Sequence, residues 1–101
     1  MVNANLDMVA GFSGSSEVSY ISAFHSWRLA NGTSADRPNL IKIGEDYFEF
    51  TRWGDYSSTT LDPLDSLAFW TVQEYSLPVG LPPEAETSRW GTWIANLVAS
   101  P

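Results

Sequence analysis

The sequence predicts an all-β fold of short antiparallel strands, and three observations support that prediction. Short segments rich in β-branched and aromatic residues recur along the chain. Gly, Pro, Asn and Asp separate these segments, as they do in turns. Apolar and polar residues alternate with period two in several segments, and only residues 17–30 also admit a helical interpretation. With 101 residues, the chain has the size of one small domain.

The clearest single feature is the stretch 52–75, RWGDYSSTTLDPLDSLAFWTVQEY, which predicts a strand, a tight turn and a second strand. Pro63 fixes φ for the turn, and the carboxylate of Asp62 can accept a hydrogen bond from the backbone two residues on. The second strand, 67–75, is largely apolar on both faces, so we expect both faces to be covered.

Three strands are predicted before this hairpin. Residues 1–5 are expected to be a frayed lead-in. Gly and Ser favour a turn after the first strand, and Asn31-Gly32 with Pro38 stops any helix that follows the second. The predicted order is a strand at 6–12, a turn at 13–16, a strand at 18–28, a loop at 30–38 and a strand at 39–43.

The rest of the chain adds further β-structure on both sides of the hairpin. Residues 44–46 turn the chain, and 47–51 predict a short strand or an extended segment. The Pro-rich stretch 76–88 predicts a loop. Alternation of large apolar residues predicts a last strand at 89–99, which brings the expected total to about seven strands.

Composition narrows the classes of function. The formal net charge of −7, with five Lys and Arg, argues against binding to nucleic acid or to an anionic membrane. The chain has no Cys, which excludes disulfides and thiolate chemistry. Residues 1–12 lack the basic and apolar regions of a signal peptide, so none is expected there. Aromatic residues make up 14% of the chain, more than one thin sheet can hide.

The hairpin, together with RWGTWIA at 89–95, contains the pattern WGDYS, DPxD, FW, EY and WxTxI. In this pattern the chain resembles bacterial β-propeller domains, which occur in large, often exported proteins of unassigned function. The resemblance implies two propeller-like blades, residues 1–51 and 52–101, within one structural domain. It also implies a secreted or exported setting, and it implies no substrate.

Two blades are fewer than the four to eight of a closed propeller, so aromatic faces and a sheet edge would be left open to water. We therefore expect homo-oligomerisation, with three to five chains completing a ring through head-to-tail contacts. The alternative is a monomeric β-sandwich or barrel with a dense aromatic core.

Several residues could carry chemistry. Paired carboxylates can hydrolyse a glycoside, and Asp55 with Glu74 would be the acid and base of a glycoside or ester hydrolase. Asp55, Asp62 and Asp65 are weak candidates for binding Ca²⁺, and no other cofactor is indicated. The lone His25 lies within an alternating strand and is interpreted as structural.

Aromatic side chains favour binding over catalysis. Exposed Trp and Tyr stack on sugars or on partner side chains, and the candidates are Trp53, Tyr56, Trp90 and Trp93. The first hypothesis is thus a non-catalytic propeller fragment that self-assembles and binds carbohydrate or protein. The hydrolase is the second hypothesis.

Overall fold

The computed structural model describes residues 1–32, 36–48, 53, 56–78 and 89–99, and it confirms the all-β prediction. Within these ranges there is no helix, and hence none that is long and apolar enough to cross a membrane. Six strands are present: β1 (Met8–Ser16), β2 (Ser19–Arg28), β3 (Asn39–Lys42), β4 (Ser58–Leu61), β5 (Ala68–Leu77) and β6 (Arg89–Val98). They form two antiparallel sheets of three strands, in the orders β1-β2-β3 and β4-β5-β6, called here the first and the second sheet.

The first sheet begins with a hairpin that is longer than the sequence predicted. β1 continues to Ser16 and the chain turns at residues 17–18, so the turn predicted at 13–16 is wrong. The register shifts between Gly14 and Ser16, which marks a bulge rather than a turn. A Cβ on Gly14 would lie 3.2 Å from the Phe24 ring, so glycine permits close cross-strand packing here.

The second sheet contains the predicted hairpin. The backbone N–H of Leu64 donates to Asp62 Oδ1 at 2.7 Å, and that of Leu67 donates to Asp65 Oδ1 at 2.9 Å. Both carboxylates therefore close the turn, as expected of Asp in these positions. β4 begins only at Ser58, and the preceding Tyr56 N–H donates at 3.0 Å to the side-chain Oε1 of Glu74 in β5 rather than to a backbone carbonyl of that strand.

The two sheets stack face to face around β5, which contacts β1 and β2 of the first sheet. Among the residues that the structure describes, the buried apolar ones are few: Val9, Ala23, Ala68, Phe69 and Tyr75.

Polar side chains occupy the middle of this interface. Thr71 and Gln73 are fully buried and hydrogen-bonded to each other, to Thr59 and to Ser57, at 2.8–3.1 Å. Gly11 lies opposite them and leaves the space that this network fills. The layer between the sheets is therefore small and partly polar, and most large apolar side chains lie elsewhere.

The N-terminal segment is anchored, contrary to the frayed lead-in expected at 1–5. Asn3 is 5% exposed, and its Oδ1 accepts hydrogen bonds from the N–H groups of Asn5 and Asp7 at 2.9 and 3.0 Å. Its Nδ2 donates to the carbonyl of Leu67 at 3.2 Å, across to the second sheet. Asn3, which was expected to lie in a frayed terminus, therefore joins the start of β1 to the β4–β5 hairpin.

Two other predicted segments are only partly described. Tyr47 and Phe48 lie outside any strand, and the remainder of 47–51 lies outside the described residues. Of the predicted loop 76–88, Ser76 and Leu77 extend β5, and 79–88 also lie outside the described residues.

Candidate interaction surface

The outer face of the second sheet, which points away from the first sheet, exposes several large apolar side chains. Because Thr71 and Gln73 point inward, strand alternation turns their neighbours Trp70 and Val72 outward. The register adds residues from the adjacent strands on the same side. The outer face consists of Ser58, Thr60, Trp70, Val72, Trp90, Thr92, Ile94, Asn96 and Val98, with Tyr56 beside it.

This face is exposed and uncharged. Trp70 and Trp90 are 40% and 41% exposed, and Ile94 is 63% exposed. The single ionisable residue at a strand position of this side is Glu74, which is 2% exposed and accepts the Tyr56 N–H. In a chain with a net charge of −7, such a face is unusual, and exposed apolar patches of this kind mark interaction sites.

Two aromatic contacts shape the ends of the face. The rings of Tyr56 and Trp90 lie 4.9 Å apart at an angle of 30°. At the other end, Trp70 Nε1 donates to Asp62 Oδ2 at 2.9 Å, which fixes the indole. Hydrogen bonds from the Leu64 N–H and from this indole hold the pKa of Asp62 below its usual range. Asp62 is therefore a carboxylate at neutral pH, at the rim of the face.

The first sheet has a hollow on its own outer face. A pocket of about 320 Å³ lies over the hairpin of β1 and β2, and the rings of Phe12 and Phe24 stack at 5.8 Å in its wall. Pro38 closes one side, and Gly14 contributes no side chain. The remaining lining residues are the hydroxyl-bearing Ser15, Ser16 and Ser19.

Comparisons of the chain with models of protein families, with curated proteins and with solved structures gave no match. Function is therefore inferred from the chemistry of these two faces.

The structure brings together only part of the predicted binding set. Tyr56 and Trp90 are in contact on the outer face of the second sheet. Trp93 lies on the opposite side of β6, against Tyr75 at 6.2 Å and under the ammonium of Lys42. Trp53 packs edge-on against Phe48 at 4.8 Å, and its Nε1 is buried without a hydrogen-bond partner among the described residues.

The described part of the chain includes only one member of the predicted catalytic pair. Asp55 lies outside the described residues, and Glu74 is buried beneath the Tyr56 segment.

Two of the candidate Ca²⁺ ligands accept hydrogen bonds. Asp62 accepts from a backbone N–H and from the Trp70 indole, and Asp65 accepts from a backbone N–H. The described ranges hold no group of three or more His, Asp or Glu side chains arranged for a metal. His25 stacks on Trp27 at 5.5 Å, consistent with a structural role.

Sequence analysis missed the residues that dominate these surfaces, namely Trp70, Ile94, Phe12 and Phe24. The period-two alternation that sorts them onto faces is visible in the sequence. Which face becomes covered depends on how the sheets stack, and alternation carries no information about that.

Proposed function

We propose that this chain is a non-catalytic, all-β binding module that associates with copies of itself through uncharged sheet faces. The observation that carries the proposal is the outer face of the second sheet, where Trp70, Trp90 and Ile94 are exposed and the Asp62 carboxylate stands only at the rim, outside the strands. Burying such side chains against a partner is favourable by about 25 cal/mol per Å² of apolar surface.

A second copy is a suitable partner for electrostatic reasons. Two chains that each carry a net charge of −7 repel one another unless their acidic residues stay apart. A contact made by uncharged faces keeps those residues at the periphery. The sequence resemblance to β-propeller domains supports the same proposal, since sheets stacked face to face around a ring have no open face. We propose three to five chains in the assembly.

Light scattering coupled to size-exclusion chromatography tests this proposal. We expect a mass of three to five times 11.2 kDa for the wild-type chain. Ile94→Asp should reduce the mass toward one chain, because a charge would be buried in the contact. Leu6→Asp is the matched control, since Leu6 is 69% exposed against 63% for Ile94 and lies outside the strands of both sheets. A wild-type chain that stays monomeric at all concentrations would overturn the proposal.

A second candidate function, carbohydrate binding, is favoured by the contact between Tyr56 and Trp90. Both side chains are about half exposed, their rings pack against each other at 4.9 Å, and an exposed aromatic ring face can stack on a sugar. Titration of tryptophan fluorescence with a panel of oligosaccharides tests it. Binding should disappear in Trp90→Ala and persist in Trp93→Ala, whose ring lies on the other side of β6.

A further inference from the structure

We propose that copies associate head to tail, so that the outer face of the second sheet of one copy docks on the outer face of the first sheet of the next. This inference rests on the proposed self-association and specifies its geometry. Three properties of the two faces support it: their shape, their charge and the area each offers.

Shape favours pairing of unlike faces. The second sheet projects bulky side chains outward, among them Trp90, whose ring lies 4.9 Å from that of Tyr56. The first sheet instead offers a hollow of about 320 Å³ between Phe12, Phe24 and Pro38. A projecting face fills a hollow, whereas two projecting faces leave gaps, and packing at protein interfaces is as dense as in interiors. Ordered aromatic side chains seated in pockets supply most of the affinity at such contacts.

Charge also favours unlike faces. The outward positions of β1 and β2 run from Met8 to Gly14 and from Ser22 to Arg28, and Arg28 is the one ionisable residue among them. Arg28 is exposed at the end of β2, and the anionic Asp62 stands at the rim of the second sheet's outer face. At this one end, Arg28 and Asp62 therefore carry opposite charges, which suits a contact between the two faces.

The stacking within one copy shows that these charges can meet. Ala4 N donates to the Ser66 carbonyl at 2.9 Å, and Asp7 Oδ1 accepts from Ala30 N at 2.9 Å. The beginning of β1 and the end of β2 thus lie over the turn between β4 and β5. If the next copy stacks on the outer face in the same direction, its Arg28 lies at the end where Asp62 is.

Area favours an assembly that covers both faces. Strands of ten residues in a three-stranded sheet cover on the order of 400 Å², from the rise along a strand and the spacing between strands. One such contact is small beside the roughly 800 Å² per partner of a standard interface. A copy that has both outer faces covered buries twice the area of a single contact. A repeated head-to-tail contact does this, and it closes into a ring when the rotation permits.

Two variants, each with one disabled face, test the geometry. Ile94→Asp disables the second sheet's face, and Leu40→Asp disables the first sheet's face, where Leu40 is 55% exposed opposite Phe24. Each variant keeps only one of the two faces that dock on each other, so its copies cannot associate and it should be monomeric in sedimentation velocity. Their equimolar mixture retains one intact pair and should form a 1:1 heterodimer, which differentially labelled chains would reveal by cross-linking.

Other results would overturn the inference. If Leu40→Asp alone forms a dimer, the second sheet's faces pair with each other, and if Ile94→Asp alone does so, the first sheet's faces pair. If the wild type oligomerises but the mixture stays monomeric, head-to-tail docking is wrong, whereas a monomeric wild type refutes self-association itself. Circular dichroism verifies the fold of each variant, and Val98→Asp and Ala10→Asp replace any that fails to fold, since both sites are exposed on the same two faces.

Discussion

The ammonium group of Lys42 lies 4.9 Å from the centroid of the Trp93 indole, and this contact joins the two sheets at their edges. Lys42 belongs to β3 of the first sheet and Trp93 to β6 of the second. The same ammonium lies 5.3 Å from the ring of Tyr75, which is 8% exposed. A cation over two ring faces is attracted by both, so Lys42 ties together strands that share little other contact.

Replacing Lys42 with Met should weaken this connection. Met retains an unbranched apolar chain but loses the cation, and we expect the free energy of unfolding to fall by about 1 kcal/mol. Urea denaturation followed by tryptophan fluorescence measures the change. Arg37→Met removes a charge from an exposed position and should leave stability within about 0.5 kcal/mol of the wild type. If the two substitutions change the free energy of unfolding equally, the contact of Lys42 with the two rings does not stabilise the fold.

A methyl group at position 11 should disrupt the polar layer between the sheets. A Cβ on Gly11 would collide with the side chains of Thr71 and Gln73 and would lie 3.1 Å from Thr59 Oγ1. Because Thr71 and Gln73 are fully buried, neither can move into solvent. Gly11→Ala should therefore cost about 2 kcal/mol and lower Tm by about 10 °C, as measured by circular dichroism.

Gly14→Ala is the matched control for this substitution. Its Cβ would meet the partly exposed Phe24 ring, which has room to shift, so the loss should be much smaller. If Gly11→Ala melts at the wild-type temperature, the sheets are not packed as closely as described.

Removing the Asn3 side chain should release the N-terminal segment. Asn3→Ala deletes hydrogen bonds to Asn5, Asp7 and Leu67, and it leaves buried backbone groups without partners. We expect a loss of about 2 kcal/mol in chemical denaturation. Hydrogen exchange should quicken at Ala4, whose N–H donates to Ser66. Asn5→Ala alters an exposed neighbour and should change neither quantity, so equal losses would argue against an anchoring role for Asn3.

Acid should destabilise the fold through His25. Burial lowers the pKa of His25 from its usual value of 6.5, and the nearby Asp36 carboxylate offsets this only in part. As the pH falls, His25 is therefore protonated in the unfolded chain before it is protonated in the folded one. Its contribution to the free energy of unfolding is complete above pH 6.5 and is lost as the pH falls toward the folded-state pKa. In addition, His25 Nδ1 is buried without a hydrogen-bond partner within the described ranges, so a proton on this nitrogen would be a buried donor without an acceptor there.

Stability curves measured between pH 7.5 and 5 would reveal this dependence. His25→Phe should flatten the curve in that window, whereas Asp36→Asn should steepen it by removing the charge that favours protonation. A curve for His25→Phe that matches the wild type would assign the acid sensitivity to other groups.

Part of this fold could be read from local signals. The β4–β5 turn was predicted correctly because Asp62, Pro63 and Asp65 act on their own backbone within a few residues. The turn at 13–16 was predicted wrongly because Gly14 serves packing under Phe24, and that contact arises only once β1 and β2 pair. The role of Asn3 was missed for the same reason, since Leu67 is its partner 64 positions away in the chain.

The candidate surface divides in a similar way. The sequence by itself determined the class of fold, the position of the β4–β5 turn and the placing of Trp70 and Ile94 on one side of their strands. These features follow from strand propensity, turn chemistry and alternation, which depend only on neighbours in the chain. Only the tertiary structure decided that Thr71 and Gln73 are covered while Trp70 and Ile94 face water. The physical reason is that stacking two sheets buries one face of each, and the choice of face depends on the fit of distant side chains around Gly11.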